Sequence, residues 1–199
     1  TIGHGLSKAP KWIITKCRST ATHADWPVWH EELSDNENVY LNQVNSETTP
    51  SYGHITDPTS TLINVSKGSG NQTNASGQNY ISYCWTEIPG YSKFGKYTGN
   101  NNADGPYIHL GFRPAWVMIK NMDASSVEWY ILDNKRDTDN PVGQYLSASS
   151  SASEATYVFY DFLSNGFKLR NSSVRRNAAA VYMYLAFAEH PFSLNSRAF

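Results

Sequence analysis

Ten residues near the middle of the chain, Tyr80-Ile81-Ser82-Tyr83-Cys84-Trp85-Thr86-Glu87-Ile88-Pro89, return near its end. There they read Tyr182-Met183-Tyr184-Leu185-Ala186-Phe187-Ala188-Glu189-His190-Pro191. Each is an aromatic-rich run closed by a glutamate, one residue and a proline. Other landmarks repeat in the same order. Lys11 to Lys16 aligns with Ala115 to Lys120, each after a proline, Pro10 and Pro114. Asp25 to His30 aligns with Glu128 to Asp133, Tyr40 to Asn42 with Tyr145 to Ser147, and Leu62 to Val65 with Gly166 to Leu169. The offset stays between 102 and 106 residues. An ordered set of matches at one spacing makes the chain an internal duplication, so it can fold only as two related units.

The residue types say what those units are built from. The repeated runs are short and rich in Trp, Tyr, Val and Ile. They are separated by Asn, Ser, Thr, Gly and Pro, the pattern of short strands and polar turns. No stretch holds a sustained 3.6-residue apolar period. Strands are expected near 12–16, 26–29, 39–44, 61–65, 80–86, 107–109, 116–120, 128–133, 157–162, 166–170 and 181–188. The reading is an all-β chain, a β-sandwich of two homologous halves at 1–96 and 97–199 that form one compact unit. Tyr91 to Asp104 is read as a connector, packed down by Tyr91, Phe94 and Tyr97. Lys96-Tyr97-Thr98-Gly99-Asn100 has no counterpart in the first half, and the expectation is that a further segment precedes Thr1.

Charge excludes some partners. The net charge is −1, which gives no electrostatic footprint for nucleic acid or an anionic membrane. Arg175-Arg176-Asn177 is expected as a solvated turn. No run of 18 apolar residues exists to insert in a membrane. Two cysteines, Cys17 and Cys84, do not make a disulfide framework; each reads as a small hydrophobe in a strand, with a bridge between them left open.

Catalysis finds little support. There is no nucleophile elbow and no paired-histidine zinc motif. A glycosidase needs two carboxylates converging across a substrate. Glu31 and Glu32 are adjacent and so face opposite sides of a strand, while Glu87 and Glu189 are repeat equivalents with a structural role expected for each. The chain is read as non-enzymatic. A divergent glycan hydrolase would need a groove with two facing carboxylates. Calcium is a weak candidate at Asn100, Asn102 and Asp104, because a loop with one carboxylate is poor for an ion that takes six to eight oxygens. No other cofactor is expected. Asp133, Asp137 and Asp139 read as an offset acidic turn. The N-x-S/T triplets at Asn64, Asn71, Asn74 and Asn171 matter only in a secreted eukaryotic chain.

A sugar site needs an aromatic face with planar polar groups beside it. The candidates are Trp29 with His30, Tyr52 with His54, and Tyr91 with Asn101 and Asp104. Trp12, Trp26, Trp116 and Trp129 occupy repeat-equivalent positions and read as core. Trp29 aligns with Leu132 and is, of the six, the tryptophan whose pattern most allows an outward face.

The phrases GHGLSKAPKWIITK, ADWPVWHEEL, GYSKFGKYTGN, GFRPAWVMIK, FLSNGFKLRNSS and YLAFAEHPF resemble a repeated domain of tail-fibre and other virion structural proteins of tailed bacteriophages, marine phages especially. That domain is similar to the concanavalin A-like and SPRY-like β-sandwiches. The resemblance spans Gly3 to Phe192. It implies a virion or extracellular location and a host-surface polysaccharide or other surface receptor as partner. It also implies contacts with further copies of the chain or other virion proteins. The alternative within the same resemblance is an assembly module of a fibre, capsid decoration or extracellular filament with no small ligand. It supplies no catalytic or sugar-binding residue set.

Overall fold

The computed structural model describes residues 1–23, 25–34, 37–48, 55–66, 73–173 and 175–191. Fifteen strands lie among them, and the only helical element is a 3₁₀ turn at Ala21–His23. The chain divides into two compact units, Thr1–Thr86 and Glu87–Phe199. No helix among the described residues is long and apolar enough to cross a membrane.

Unit 1 is a sandwich of two antiparallel sheets. One joins β1 (Ile2–Gly3), β6 (Leu62–Val65) and β5 (Ile55–Thr56), in that order. The other runs β4 (Val39–Tyr40), β3 (Pro27–His30), β2 (Trp12–Cys17), β7 (Tyr80–Trp85). Ile13 of the second sheet meets Ile55 and Ile63 of the first, with Trp29, Val65 and Cys84 packed around them.

Unit 2 repeats this arrangement and extends it. Its strands are β8 (Ser92–Thr98), β9 (Tyr107–His109), β10 (Pro114–Asn121), β11 (Tyr130–Asp133), β12 (Val142–Leu146), β13 (Ala155–Leu163), β14 (Gly166–Leu169) and β15 (Val181–Ala188). They form one antiparallel sheet ordered β8-β15-β10-β11-β12-β13-β14-β9. The β12–β13 pair joins what unit 1 keeps as two sheets. The sheet then folds over an aromatic core. Phe167 of β14 meets Tyr184 of β15 edge-on at 5.7 Å, and Tyr97 of β8 meets Phe167 at 6.2 Å.

The duplication holds residue by residue. Ile13 opposes Trp29 and Cys84, as Val117 opposes Leu132 and Ala186. Ile2 opposes Ile63 as Ile108 opposes Phe167, and Ile55 opposes Val65 as Tyr160 opposes Leu169. Tyr80 accepts a hydrogen bond from the Ala75 N–H at 2.9 Å, as Tyr182 does from Ala178. The β3–β4 and β11–β12 pairs differ in register by two residues.

The segment expected as a connector is an integral strand. β8 pairs with β15 from Ser92↔Phe187 to Thr98↔Val181, with Phe94 and Tyr97 buried. Gly95 suits this position because the Tyr184 hydroxyl lies 2.9 Å from where a Cβ would stand. The turn expected at Arg175 to Asn177 is not simply solvated. Arg176 is 6% exposed, its guanidinium about 4.3–4.4 Å from the rings of Tyr130, Tyr157 and Phe159. Such desolvated contacts stabilise a cation that has no carboxylate partner among the described residues.

Candidate functional site

The second and third strands of unit 1 fix one wall of a cleft. β3 is only four residues long and begins at a proline. Pairing with β2 turns Trp29 toward the inner face, with Ile13 beside it, and turns Val28 and His30 to the other. Trp29 therefore does not face out. It is half-buried, packed on the Ile13–Ile55–Ile63 cluster, and its remaining surface lines a cleft of ≈ 250 Å³. The turn after β3 adds Glu31 and Ser34, while the end of β5 adds Thr56 and Asp57. The volume lies below the roughly 300–1,000 Å³ of a drug-sized pocket and suits one sugar ring better than a chain.

Polar groups of the cleft are held by local bonds. Glu31 pairs with Lys11. Ser34 donates its N–H to Glu47. Burial pushes the Glu47 carboxyl above its ordinary range, and Glu37 beside it acts in the same direction. The Asp57 carbonyl accepts from Asn64 Nδ2 at 3.0 Å, and Asp57 has φ +34°. A non-glycine residue in that region is strained, a condition found preferentially at functional sites. The lining combines indole surface with the carboxylate and hydroxyl residues Glu31, Asp57, Ser34 and Thr56. Those groups can take the hydroxyl or amine donors of a small polar ring.

The other expected site residues fall elsewhere. His30 is buried on the opposite face of the sheet, its ring 5.3 Å from Trp12 in an edge-on contact, and its Nδ1 accepts from the Glu32 N–H. It does not join Trp29. Tyr52 and His54 lie outside the described residues. Tyr91 packs on Phe187 with ring centroids 5.7 Å apart. It stands at one end of β8 and the Asn100 to Asp104 loop at the other, so seven residues of strand, about 23 Å, separate them.

That loop is tied to the chain rather than open to a cation. Asn100 Oδ1 accepts from Asn102 N–H and from Asn177 Nδ2, Asn102 Oδ1 from Asp104 N–H, and Asn101 Oδ1 from Ala179 N–H. Asp104 pairs with Lys168 at 2.8 Å, and Lys168 lowers its pKa. Asn177, fully buried, also donates to the Asn102 and Asn171 carbonyls and accepts from Asn100 N–H. Among the described residues no three metal-ligating side chains cluster.

Remaining polar candidates do structural work. Glu87 accepts from the Phe94 N–H, and Glu189 pairs with Arg113 and accepts from Asn134. Asp133 caps the N–H groups of Lys135 and Arg136, and Asp137 those of Gly143 and Gln144. Trp12 and Trp129 are fully buried, while Trp26 and Trp116 are half-buried with ring contacts to Lys16 and Phe187. Cys17 and Cys84 are free. Cys84 lies opposite Ile13. Cys17 is four residues further along, about 13 Å away and out of disulfide reach.

A second cleft of ≈ 240 Å³ opens between β1, β6 and β7, lined by Ile2, Ile63, Tyr80, Ser82 and Cys84 among others. Sequence reading named Trp29 but not the residues that share its cleft, and it missed the second cleft. Part of the signal lay in the aligned halves: Ser82 stands where the second half has Tyr184, and Ile63 where it has Phe167.

Fold and site together define the class, an antiparallel β-sandwich chain of two homologous units with a small polar cleft walled by tryptophan. The chain belongs to the family described as a domain of unknown function, DUF7483, which it matches over residues 1–191. Neither the curated proteins nor the solved structures offer a match to it.

Proposed function

We propose that the chain is a non-enzymatic recognition module of a virion or extracellular appendage, and that it binds a surface glycan through the Trp29 cleft. The observation that carries this reading is the meeting of a half-buried indole with Glu31, Ser34, Thr56 and Asp57 in one cleft of ≈ 250 Å³. A pyranose needs one apolar face to stack on and several acceptors for its hydroxyls, and the cleft supplies both. The tailed-phage resemblance supports the location and the host-surface partner. Glu31 is engaged with Lys11, which favours binding over acid–base chemistry at this position. An assembly module with no small ligand is the second reading, favoured by the terminal position of β7 in its sheet.

The test is binding of the intact chain to a glycan array and to candidate host cells. Trp29→Leu installs the residue that unit 2 carries at the same place in the frame, and Asp57→Asn keeps a residue that tolerates the backbone angle. Each is expected to weaken saturable glycan binding at least tenfold while circular dichroism stays unchanged. A folded wild-type chain that binds no glycan and no cell would remove the recognition reading and leave assembly.

A further inference from the structure

β7 is the terminal strand of its sheet among the described residues. The carbonyls of Asn79 and Trp85 accept from Arg18 and Lys11 on the β2 side. Alternation therefore turns the backbone N–H and C=O of Ser82 and Cys84 toward the other edge. Their equivalents in unit 2, Tyr184 and Ala186, face β8, which covers that edge over seven residue pairs. The matching edge of unit 1 has a cleft of ≈ 240 Å³ beside it. In unit 2 the corresponding space is filled twice. Tyr184 fills it from β15, and Tyr97 enters from β8, stacked on Tyr182 at 4.9 Å and 7°. In unit 1, Ser82 replaces Tyr184, and among the described residues no strand supplies a Tyr97.

We propose that the β7 edge and its adjoining cleft accept an extended strand from another polypeptide, one with the side-chain pattern of β8. The register is set by the duplication. A tyrosine of the incoming strand lies over Tyr80 and fills the cleft, as Tyr97 does against Tyr182. A second aromatic, three residues earlier and on the opposite face, lies beside Tyr83, as Phe94 lies beside Leu185. Tyr83 is 44% exposed. Strand addition of this kind draws affinity from main-chain hydrogen bonds and specificity from alternate side chains. The chain's own β8 is engaged with β15, so the donor is another segment with that side-chain pattern. One specificity differs from unit 2. Gly95 is confined by the Tyr184 hydroxyl, whereas Ser82 imposes no such limit, so the donor needs no glycine there. The proposal does not depend on glycan binding at Trp29.

The probe is a fluorescein-labelled peptide with the sequence of residues 90–99, titrated into the intact chain. Saturable binding is expected, at least tenfold weaker when the Tyr97 position is Ser and undiminished when the Gly95 position is Ala. Binding is also expected to slow amide exchange at Ser82 and Cys84. Ser82→Pro removes one outward N–H at a sheet edge, where proline is tolerated, and is expected to abolish binding with the fold retained. Absence of binding overturns the proposal. So does protection of the Ser82 and Cys84 amides in the free monomer, which would mean that the chain covers this edge itself. A dimer of the wild-type chain that Ser82→Pro dissociates would assign the edge to a second copy instead.

Discussion

Lys120 offers the sharpest test of the packing. It lies in β10, is fully buried, and its Nζ donates to the Val127 carbonyl. Burial lowers its pKa from 10.5 to about 8, with no counter-charge offsetting the shift. The folded value is below the unfolded one, so the ammonium opposes folding wherever both states carry it. Two and a half pH units correspond to about 3 kcal/mol of lost stability at pH 7. The direction of the pH dependence follows. Below about pH 8 both states are protonated and the cost is constant. Between about pH 8 and 10.5 the folded state releases its proton first, and stability rises with pH. From pH 7 to 9.5 the rise is about 2 kcal/mol by linkage. Buried Tyr97 and Tyr160, whose pKa values are raised, lose their contribution only as pH climbs past their unfolded value of 10.0. Burial also raises the Cys84 thiol, which loses its contribution as pH passes its unfolded value of 9.0, so the Lys120 effect is read against a variant over the same window. Lys120→Met keeps the length and removes the charge, but leaves the Val127 carbonyl without this donor, which costs about 1–3 kcal/mol. The decisive quantity is the difference in pH slope, not the net change. Urea unfolding by circular dichroism at pH 7.0 and 9.5 should show a change in wild type about 2 kcal/mol more positive than in Lys120→Met. Equal slopes in the two proteins would refute the argument that Lys120 is buried as an uncompensated charge.

Asn177→Ala strands the Asn100 N–H and the Asn102 and Asn171 carbonyls at once. It should cost about 2–4 kcal/mol, at the upper range for buried polar groups, with the unfolding midpoint as the readout. Glu47 has a raised pKa, so its contribution is present below the unfolded value of 4.5 and is lost as pH rises through the folded one. Glu47→Gln keeps an acceptor for Ser34. It should gain stability relative to wild type between pH 4 and pH 7 in thermal melts.

Much of the fold is legible in the sequence because the landmarks sit at strand ends. Tryptophans near strand starts and Glu-x-Pro at the exits fixed both halves, and loop length absorbed the drift in offset. β8 could not be read the same way. It has no partner in the first half to align with, and Gly95 and Gly99 break its pattern. The structural cause is visible only in three dimensions, where the Tyr184 hydroxyl and the Ala178 carbonyl occupy the space of a Cβ at those two positions. Trp29 misled for a different reason. A four-residue strand opened by proline gives alternation little to work on. Its alignment with Leu132, which is fully buried, was the better guide to the inward face. The Tyr91 and Asn101–Asp104 candidates are close in sequence, but strand geometry carries a chain about 3.3 Å per residue and parts them.

The two units test how one backbone frame behaves under two fillings. At matched positions unit 2 places Tyr160, Phe167 and Tyr184 where unit 1 places Ile55, Ile63 and Ser82. Protein interiors tolerate little empty volume, because each lost contact forfeits dispersion energy. A frame that keeps its register while its side chains shrink must therefore either collapse or open. Outside the β3–β4 pair unit 1 keeps the register, and its clefts lie where the larger residues are missing. The chemistry of the two openings differs. The one at Trp29 is edged by carboxylates and hydroxyls, which suits a polar small molecule. The one at Ser82 adjoins a strand edge and its backbone groups, which suits a peptide. Filling the second with Ser82→Tyr would reproduce unit 2 locally, and a donor strand would then again require glycine opposite it. A peptide carrying alanine at that position should bind wild type and fail to bind Ser82→Tyr. If it binds both alike, the correspondence between the two edges is wrong even though the strand registers agree.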